Sequence, residues 1–390
     1  MIASKKFIVT QPTQIHFGVG MVDSLAQVVT DCGGSKVLLV ADPGLKAVGL
    51  LDKITAPLEA AGTDYILFDH VDPEPGLLLA DEGTALAKEN GCDCVIGAGG
   101  GSAMDVAKAI SILITNGGKA EDYLGLGKIA KAGVPKIMVP TTAGTGAEVT
   151  FTAVFINEKT KSKGGMNGDP LYPDAAVLDP ALTLTLPPHV TAAPGIDAFV
   201  HAMEAFTSSQ SHAISDMYAL EAMELISHNL PLAYANGDNL EARTGMLMGS
   251  LLGGKALATA GVGLIHAMAY PLGGMFGIPH GLANAVLMPF VVDYNIIGDP
   301  LKYARIADVM GYDIAELSLR EAAATAVEAV YNLNSDVAIP TSLAELDIPA
   351  DKIPEMAEIA LTVTRPVENN PRKPSLEEVI AIYEIAHKGW

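Results

Sequence analysis

The feature that most constrains this chain is a change of texture at Leu186-Pro187-Pro188. Before it, short β-branched runs alternate with segments of helical period. Residues 36–42, 65–69, 94–97 and 136–139 read as buried strands, with helices over 78–90 and 103–116 between them. Strand, helix and strand repeated with short links predicts a parallel sheet covered on both faces. After it, helical spacing dominates over 194–208, 215–228, 240–258, 318–332 and 375–388, and Ser375 with Glu378 forms a capping-box pattern. The expected architecture is an α/β domain at 1–186 followed by an all-helical domain at 187–390, which suits a length of 390 residues.

Charge and cysteine content narrow the function classes. The 45 acidic residues exceed the 24 basic ones, a net charge of −21 that repels phosphate backbones and argues against nucleic acid as a partner. Cys32, Cys92 and Cys94 build no disulfide framework, and Cys92-Asp93-Cys94 lacks C-x-x-C spacing. Gln11, Pro12 and Gln14 interrupt any leader-like apolar run, so a reduced, cytoplasmic setting is expected. Residues 256–292 contain no Asp, Glu, Lys or Arg, yet Pro271, Pro279, Pro289 and several glycines break the stretch, and His266 and His280 sit inside it. It reads as a buried segment around a polar site and not as a membrane span.

Gly97-Ala98-Gly99-Gly100-Gly101-Ser102 follows a predicted strand and opens a predicted helix, a context suited to phosphate through close backbone approach and free helical N–H groups. It is neither G-x-G-x-x-G nor a P-loop, and by itself it also reads as a tight turn. Asp42 closes an earlier strand 55 residues before Gly97, which disfavours the usual order of glycine turn and ribose-binding acid. Before Pro43-Gly44, Asp42 reads equally as a turn residue. Thr141-Thr142-Ala143-Gly144-Thr145 forms a second small-residue loop after a strand, and two such loops are what a ligand crevice in an open α/β sheet requires.

Asp197 and His201 lie at i and i+4 on a predicted helix, on one face and at chelating distance. His266 and His280 add two imidazoles within the uncharged stretch. Each histidine alone is an ordinary core residue, but together the set fits one metal. One carboxylate and three imidazoles suit iron(II) or zinc and not calcium or magnesium.

These motifs together carry a resemblance. Gly99-Gly100-Gly101-Ser102 with Asp105, the Pro140–Thr145 loop, Gly195-Ile196-Asp197-Ala198, and His266 with Pro279-His280-Gly281 resemble the iron-dependent (group III) alcohol dehydrogenase family over essentially the whole chain. The resemblance implies a two-domain architecture like that of dehydroquinate synthase, with the active site in the cleft between the domains. It implies that Asp197, His201, His266 and His280 bind Fe²⁺, with Zn²⁺ an alternative. Gly99, Gly100, Gly101 and Ser102 would hold the pyrophosphate of NAD(H), and Thr141, Thr142 and Thr145 would line the nicotinamide. Asp105 and Lys163 fall on cofactor-side positions, and Asp42 on the adenosine ribose, favouring NAD over NADP. Tyr270 stands where the family often has a proton-relaying histidine, and Glu74 where an asparagine is common.

The implied activity is reversible hydride transfer between NAD(H) and a small primary alcohol or aldehyde, as an aldehyde reductase in vivo, in a homodimer or higher homo-oligomer. One alternative is the same chemistry on a carboxylate- or sulfonate-bearing aldehyde, approached by Lys255 and Arg243. Another is a dehydroquinate-synthase-type lyase, disfavoured by the absence of Lys and Arg from 256–292. A non-catalytic, nucleotide-binding filament is the third, disfavoured by the intact ligand set.

Overall fold

The structure, a computed structural model, describes residues 5–157 and 162–390. Thr10–Thr185 form one compact unit, and Leu186–Trp390 with the N-terminal residues up to Val9 form the other. The described N-terminal residues thus depart from the expected 1–186 grouping. Lys5 Nζ donates to the carbonyls of Ser209 and Ser211, and the Phe7 ring stacks on His212 at 3.8 Å.

In the first unit, β1 (Gln14–Phe17), β2 (Lys36–Ala41), β3 (Asp64–Phe68), β4 (Cys94–Gly99), β6 (Lys136–Pro140) and β9 (Ala175–Leu178) form one parallel sheet in the order β1-β9-β6-β4-β2-β3. Alternation divides its core between two faces. Leu38, Val40 and Val95 pack on one side, and Val37, Leu39, Ile96 and Ala98 on the other. The helices are α1 (Leu25–Asp31), α2 (Pro43–Ala47), α3 (Leu50–Ala61), α4 (Leu77–Asn90) and α5 (Gly101–Asn116). From β2 the chain moves outward to β3, then returns to place β4 on the other side of β2. That reversal opens a crevice beyond the strand ends, where ligands of open α/β sheets bind.

A smaller sheet was not foreseen. It orders β5 (Gly125–Leu126), β8 (Ser162–Asn167) and β7 (Thr152–Asn157), with β7 and β8 antiparallel.

The second unit is helical: α6 (Pro188–Thr207), α7 (Ala213–Ala235), α8 (Leu240–Ala260), α9 (Leu264–Phe276), α10 (His280–Asn295), α11 (Pro300–Val309), α12 (Leu319–Asp336), α13 (Ile353–Thr362), α14 (Thr364–Asn369) and α15 (Leu376–Lys388). The expected α/β-then-helical class is what the chain adopts. The Ser375–Glu378 capping box forms reciprocally. Pro271 and Pro289 bend expectation more than they break helices, since each lies inside one. Pro289 cannot donate to the Ala285 carbonyl one turn back, and Asn334 Nδ2 donates to that carbonyl instead, at 2.7 Å. Among the described residues no single helix is long and apolar enough to cross a membrane. The pair α8 and α9, which together reach that length and composition, is bent by 103°.

Candidate active site

Three helices of the second unit each contribute residues four apart: Asp197 and His201 from α6, His266 and Tyr270 from α9, and His280 and Asn284 from α10. Spacing of i and i+4 keeps each pair on one helix face. Gly281 lets α10 approach α6, because a Cβ there would lie 2.6 Å from the Ala193 carbonyl oxygen. Four donor atoms converge as a result. Asp197 Oδ1 lies 3.8 Å from His201 Nε2, 3.8 Å from His266 Nε2 and 4.0 Å from His280 Nε2. Donors about 2.1 Å from a tetrahedral ion are roughly 3.4 Å apart. Asp197, His201 and His266 offer ligand atoms all within 4.8 Å of one another, and His280 stands outside that tighter group although its Nε2 lies near Asp197. Asp197, His201 and His266 are buried, while the His280 side chain is 31% exposed, marking the open side.

Two further observations fit a cation here. Burial opposes ionisation of Asp197, but the three imidazoles and the Asn284 hydrogen bond outweigh it and hold its pKa below the usual range. Asn284 Nδ2 donates to Asp197 Oδ1 at 2.6 Å and lies 3.3 Å from Nε2 of both His266 and His280. The buried Asn284 Oδ1 has no hydrogen-bond partner among the described residues. Turning that amide over presents an oxygen to the cluster.

Glu204, one turn beyond His201 on α6, was missed by the sequence reading. Its buried carboxylate accepts from Gly263 N at 2.8 Å and Ile265 N at 2.6 Å, and Oε2 lies 2.6 Å from His266 Nδ1. Burial disfavours charge on His266, yet the Glu204 bond and the charges of Glu204 and Asp197 raise its pKa. The only signal was an acid at Asp197+7, which an exposed helical glutamate would also give. Tyr270 lies beside the cluster, its ring 6.3 Å from that of His280, and burial raises the pKa of its phenol.

The other small-residue cluster lies in the first unit, at the ends of β2, β4 and β6. Gly99 has φ +139°, and a Cβ there would collide with Asp42 Oδ2; a Cβ on Gly101 would lie 2.8 Å from Thr145 Cγ2. A Cβ on Gly100 would lie 3.8 Å from both Asp42 Oδ2 and Thr142 Oγ1, and the Gly100 N–H donates to Asp42 Oδ2 at 2.7 Å. Asp42, the glycine turn with Ser102 at the α5 N-terminus, Thr142 and Thr145 are thus brought together, with Thr141 buried beside them as its N–H donates to the Gly99 carbonyl. The loop thus takes one Asp42 oxygen, Oδ2.

Three residues singled out from the sequence also have partners within the fold. Asp105 Oδ2 accepts from Val154 N at 2.9 Å and Oδ1 from the buried Lys108 Nζ at 3.3 Å. Lys163 pairs with Glu74 Oε2 at 2.6 Å, tying β8 to the loop where an asparagine was expected. Arg243 is 2% exposed and donates to Thr191 Oγ1, Leu186 O and Gly237 O, so it anchors the start of α6 and does not await a substrate. Lys255 Nζ lies 5.6 Å over the Tyr218 ring.

A parallel α/β unit with a glycine-turn crevice, together with a helical unit carrying an Asp/His₃ cluster, defines a dehydrogenase of the metal-dependent type. The family model "Iron-containing alcohol dehydrogenase" matches residues 12–180, and "Fe-containing alcohol dehydrogenase family, C-terminal" matches 191–387. The chain belongs to the iron-containing alcohol dehydrogenase family and is an oxidoreductase of alcohols and aldehydes, which sets the lyase and filament readings aside. It is 41% identical to long-chain-alcohol dehydrogenase 1 of Geobacillus thermodenitrificans over 97% of this chain and 96% of that one. A crystal structure of 1,3-propanediol oxidoreductase superposes with a TM-score of 0.95 at 38% identity, covering 97% and 99% of the two chains. Sulfoacetaldehyde reductase from Bifidobacterium kashiwanohense, solved with NAD⁺, gives a TM-score of 0.89 at 28% identity over 98% and 99%.

Proposed function

We propose that this enzyme transfers hydride reversibly between NAD(H) and a small primary alcohol or aldehyde, working chiefly as an aldehyde reductase. The observation that carries the reading is the approach of three imidazole nitrogens to one buried carboxylate oxygen, Asp197 Oδ1. Asp197, His201, His266 and His280 hold Fe²⁺, with Zn²⁺ the alternative, since an N₃O donor set suits either ion. The bound ion supplies Lewis-acid polarisation of the substrate oxygen.

The chain's own residues do the rest. Gly99, Gly100, Gly101 and Ser102 accept the pyrophosphate at the α5 N-terminus, where free N–H groups and the helix dipole favour negative charge. Thr141, Thr142 and Thr145 line the nicotinamide side. Asp42 Oδ1 accepts from the adenosine ribose and repels a 2′-phosphate, which favours NAD. The Tyr270 hydroxyl, kept protonated by burial, donates a hydrogen bond to the substrate oxygen and is a poor base on its own. NAD⁺ in the sulfoacetaldehyde reductase structure supports the cofactor assignment.

The test is NADH oxidation by chelated enzyme restored with Fe²⁺, Zn²⁺ or nothing, across neutral and anionic aldehydes. Recovery with an ion, lost in His266→Ala, supports the reading; full activity without metal overturns it. A sulfonate- or carboxylate-bearing substrate is the second reading. It rests on half-buried Lys255, whose pKa burial lowers, and on the substrate named for the sulfoacetaldehyde reductase.

A further inference from the structure

From the bonds of Glu204 we infer that this residue is the positioning carboxylate of the metal centre: it fixes the tautomer of His266 and supplies the second negative charge that balances a dication. The inference rests on the metal reading above. A carboxylate only accepts hydrogen bonds, so a 2.6 Å contact from Oε2 to His266 Nδ1 places the proton on Nδ1. The lone pair on Nε2 is then free to face the cluster, where it lies 3.8 Å from Asp197 Oδ1.

The same carboxylate accepts from Gly263 N and Ile265 N, two of the orphan N–H groups that open α9. Leu264 N is met by Asn370 Oδ1, and Asn370 is tied in turn to Asn295. The backbone that carries His266 is therefore clamped by the group that orients its ring. Gly263 suits this close packing, since a Cβ would lie 3.1 Å from Glu204 Oε1 and 3.2 Å from Asn370 Oδ1 and would press on both. Charge gives the second part of the role. Asp197 and Glu204 are both carboxylates bonded to this cluster, and together they would neutralise a 2+ ion where an unbalanced charge is costly.

Glu204→Gln, read by metal affinity and by the melting temperature of the metal-free protein, separates positioning from helix capping. A glutamine keeps the shape and, with its NH₂ in the place of Oε2, one oxygen for Ile265 N, while the Gly263 N–H loses its acceptor. Its NH₂, turned to His266 Nδ1, forces the proton onto Nε2 and removes a ligand. Zn²⁺ affinity, and Fe²⁺ affinity under anaerobic conditions, are measured by competition with a chelator on the full chain. The expected result is a loss of roughly 10–100-fold in Glu204→Gln, with partial recovery in Glu204→Asp. Unchanged affinity, with only a lower melting temperature of the metal-free protein, reduces Glu204 to a helix cap and overturns the inference.

A second readout needs no variant at Glu204 and no metal. In ¹⁵N-histidine-labelled wild-type protein, His266, assigned by its loss in His266→Ala, should show a strongly hydrogen-bonded Nδ1–H. An Nε2–H tautomer overturns the inference. Wild-type protein that binds neither ion overturns the metal reading and this inference with it, whereas wild-type binding with an indifferent Glu204→Gln overturns this inference alone.

Discussion

Glu148 lies buried in the loop after Thr145 with Oε1 lacking a partner among the described residues, and burial pushes its carboxyl up to about 7 against the attraction of Lys108. Its folded pKa exceeds its unfolded one, so the folded chain binds this proton more tightly. Stability from this group is present at low pH and is lost as pH rises from the unfolded pKa through about 7, by about 3 kcal/mol in all. Glu148→Gln should flatten that loss, read as the wild-type-minus-variant difference in unfolding free energy from pH 5 to 8; an unchanged difference refutes the assignment. Arg243→Ala should lower stability by about 1–3 kcal/mol, through carbonyls and a hydroxyl left unpaired, without changing the preference between charged and neutral aldehydes. Lys255→Ala should shift that preference if the anionic reading holds, and an identical ranking removes it. At this scale the four ligand candidates were legible because i and i+4 spacing and Pro279-His280-Gly281 mark them locally. Glu204 and Asn284 were not, since an acid or amide on an apolar helix says nothing of what lies opposite.

At the scale of elements, proline was the main source of misreading. Pro271 and Pro289 lie inside α9 and α10, where sequence logic ends a helix. For Pro289 the reason is an exchange of partners: Asn334, on α12, donates to the Ala285 carbonyl that the proline cannot reach. Asn334→Leu should cost about 1–3 kcal/mol by leaving that carbonyl unsatisfied, and Pro289→Ala in the same chain should recover part of it by restoring an N–H. Independent, additive effects in thermal unfolding would contradict the pairing. The pairing of β7 with β8 was missed for a related reason. Ser162-Lys163-Gly164-Gly165-Met166-Asn167 has little strand propensity, and its extended form comes from pairing with β7.

At the scale of the molecule, the donors for an ion belong to Leu186–Trp390, and the glycine turn, Asp42 and the threonines belong to Thr10–Thr185. An ion held only by the folded second unit stabilises it by mass action, by about 4 kcal/mol at a thousandfold excess over Kd. Adding Fe²⁺ or Zn²⁺ to chelated protein should therefore raise Tm, and His266→Ala should abolish the rise; an equal rise in the variant argues for binding elsewhere. The sequence by itself determined the α/β-then-helical order, strands β2, β3, β4 and β6 with helices α4 and α5, and the glycine turn, and it marked the ligand candidates. Each is a pattern in residues close along the chain, where alternation, i and i+4 spacing and small-residue runs act. Tertiary structure alone decided that Asp105 and Arg243 brace the fold, that Asp42 holds Gly100, and that Glu204 reaches His266, 62 residues away. Those choices turn on which faces pack together and which buried polar groups then need a partner, a requirement that arises only once packing has removed water.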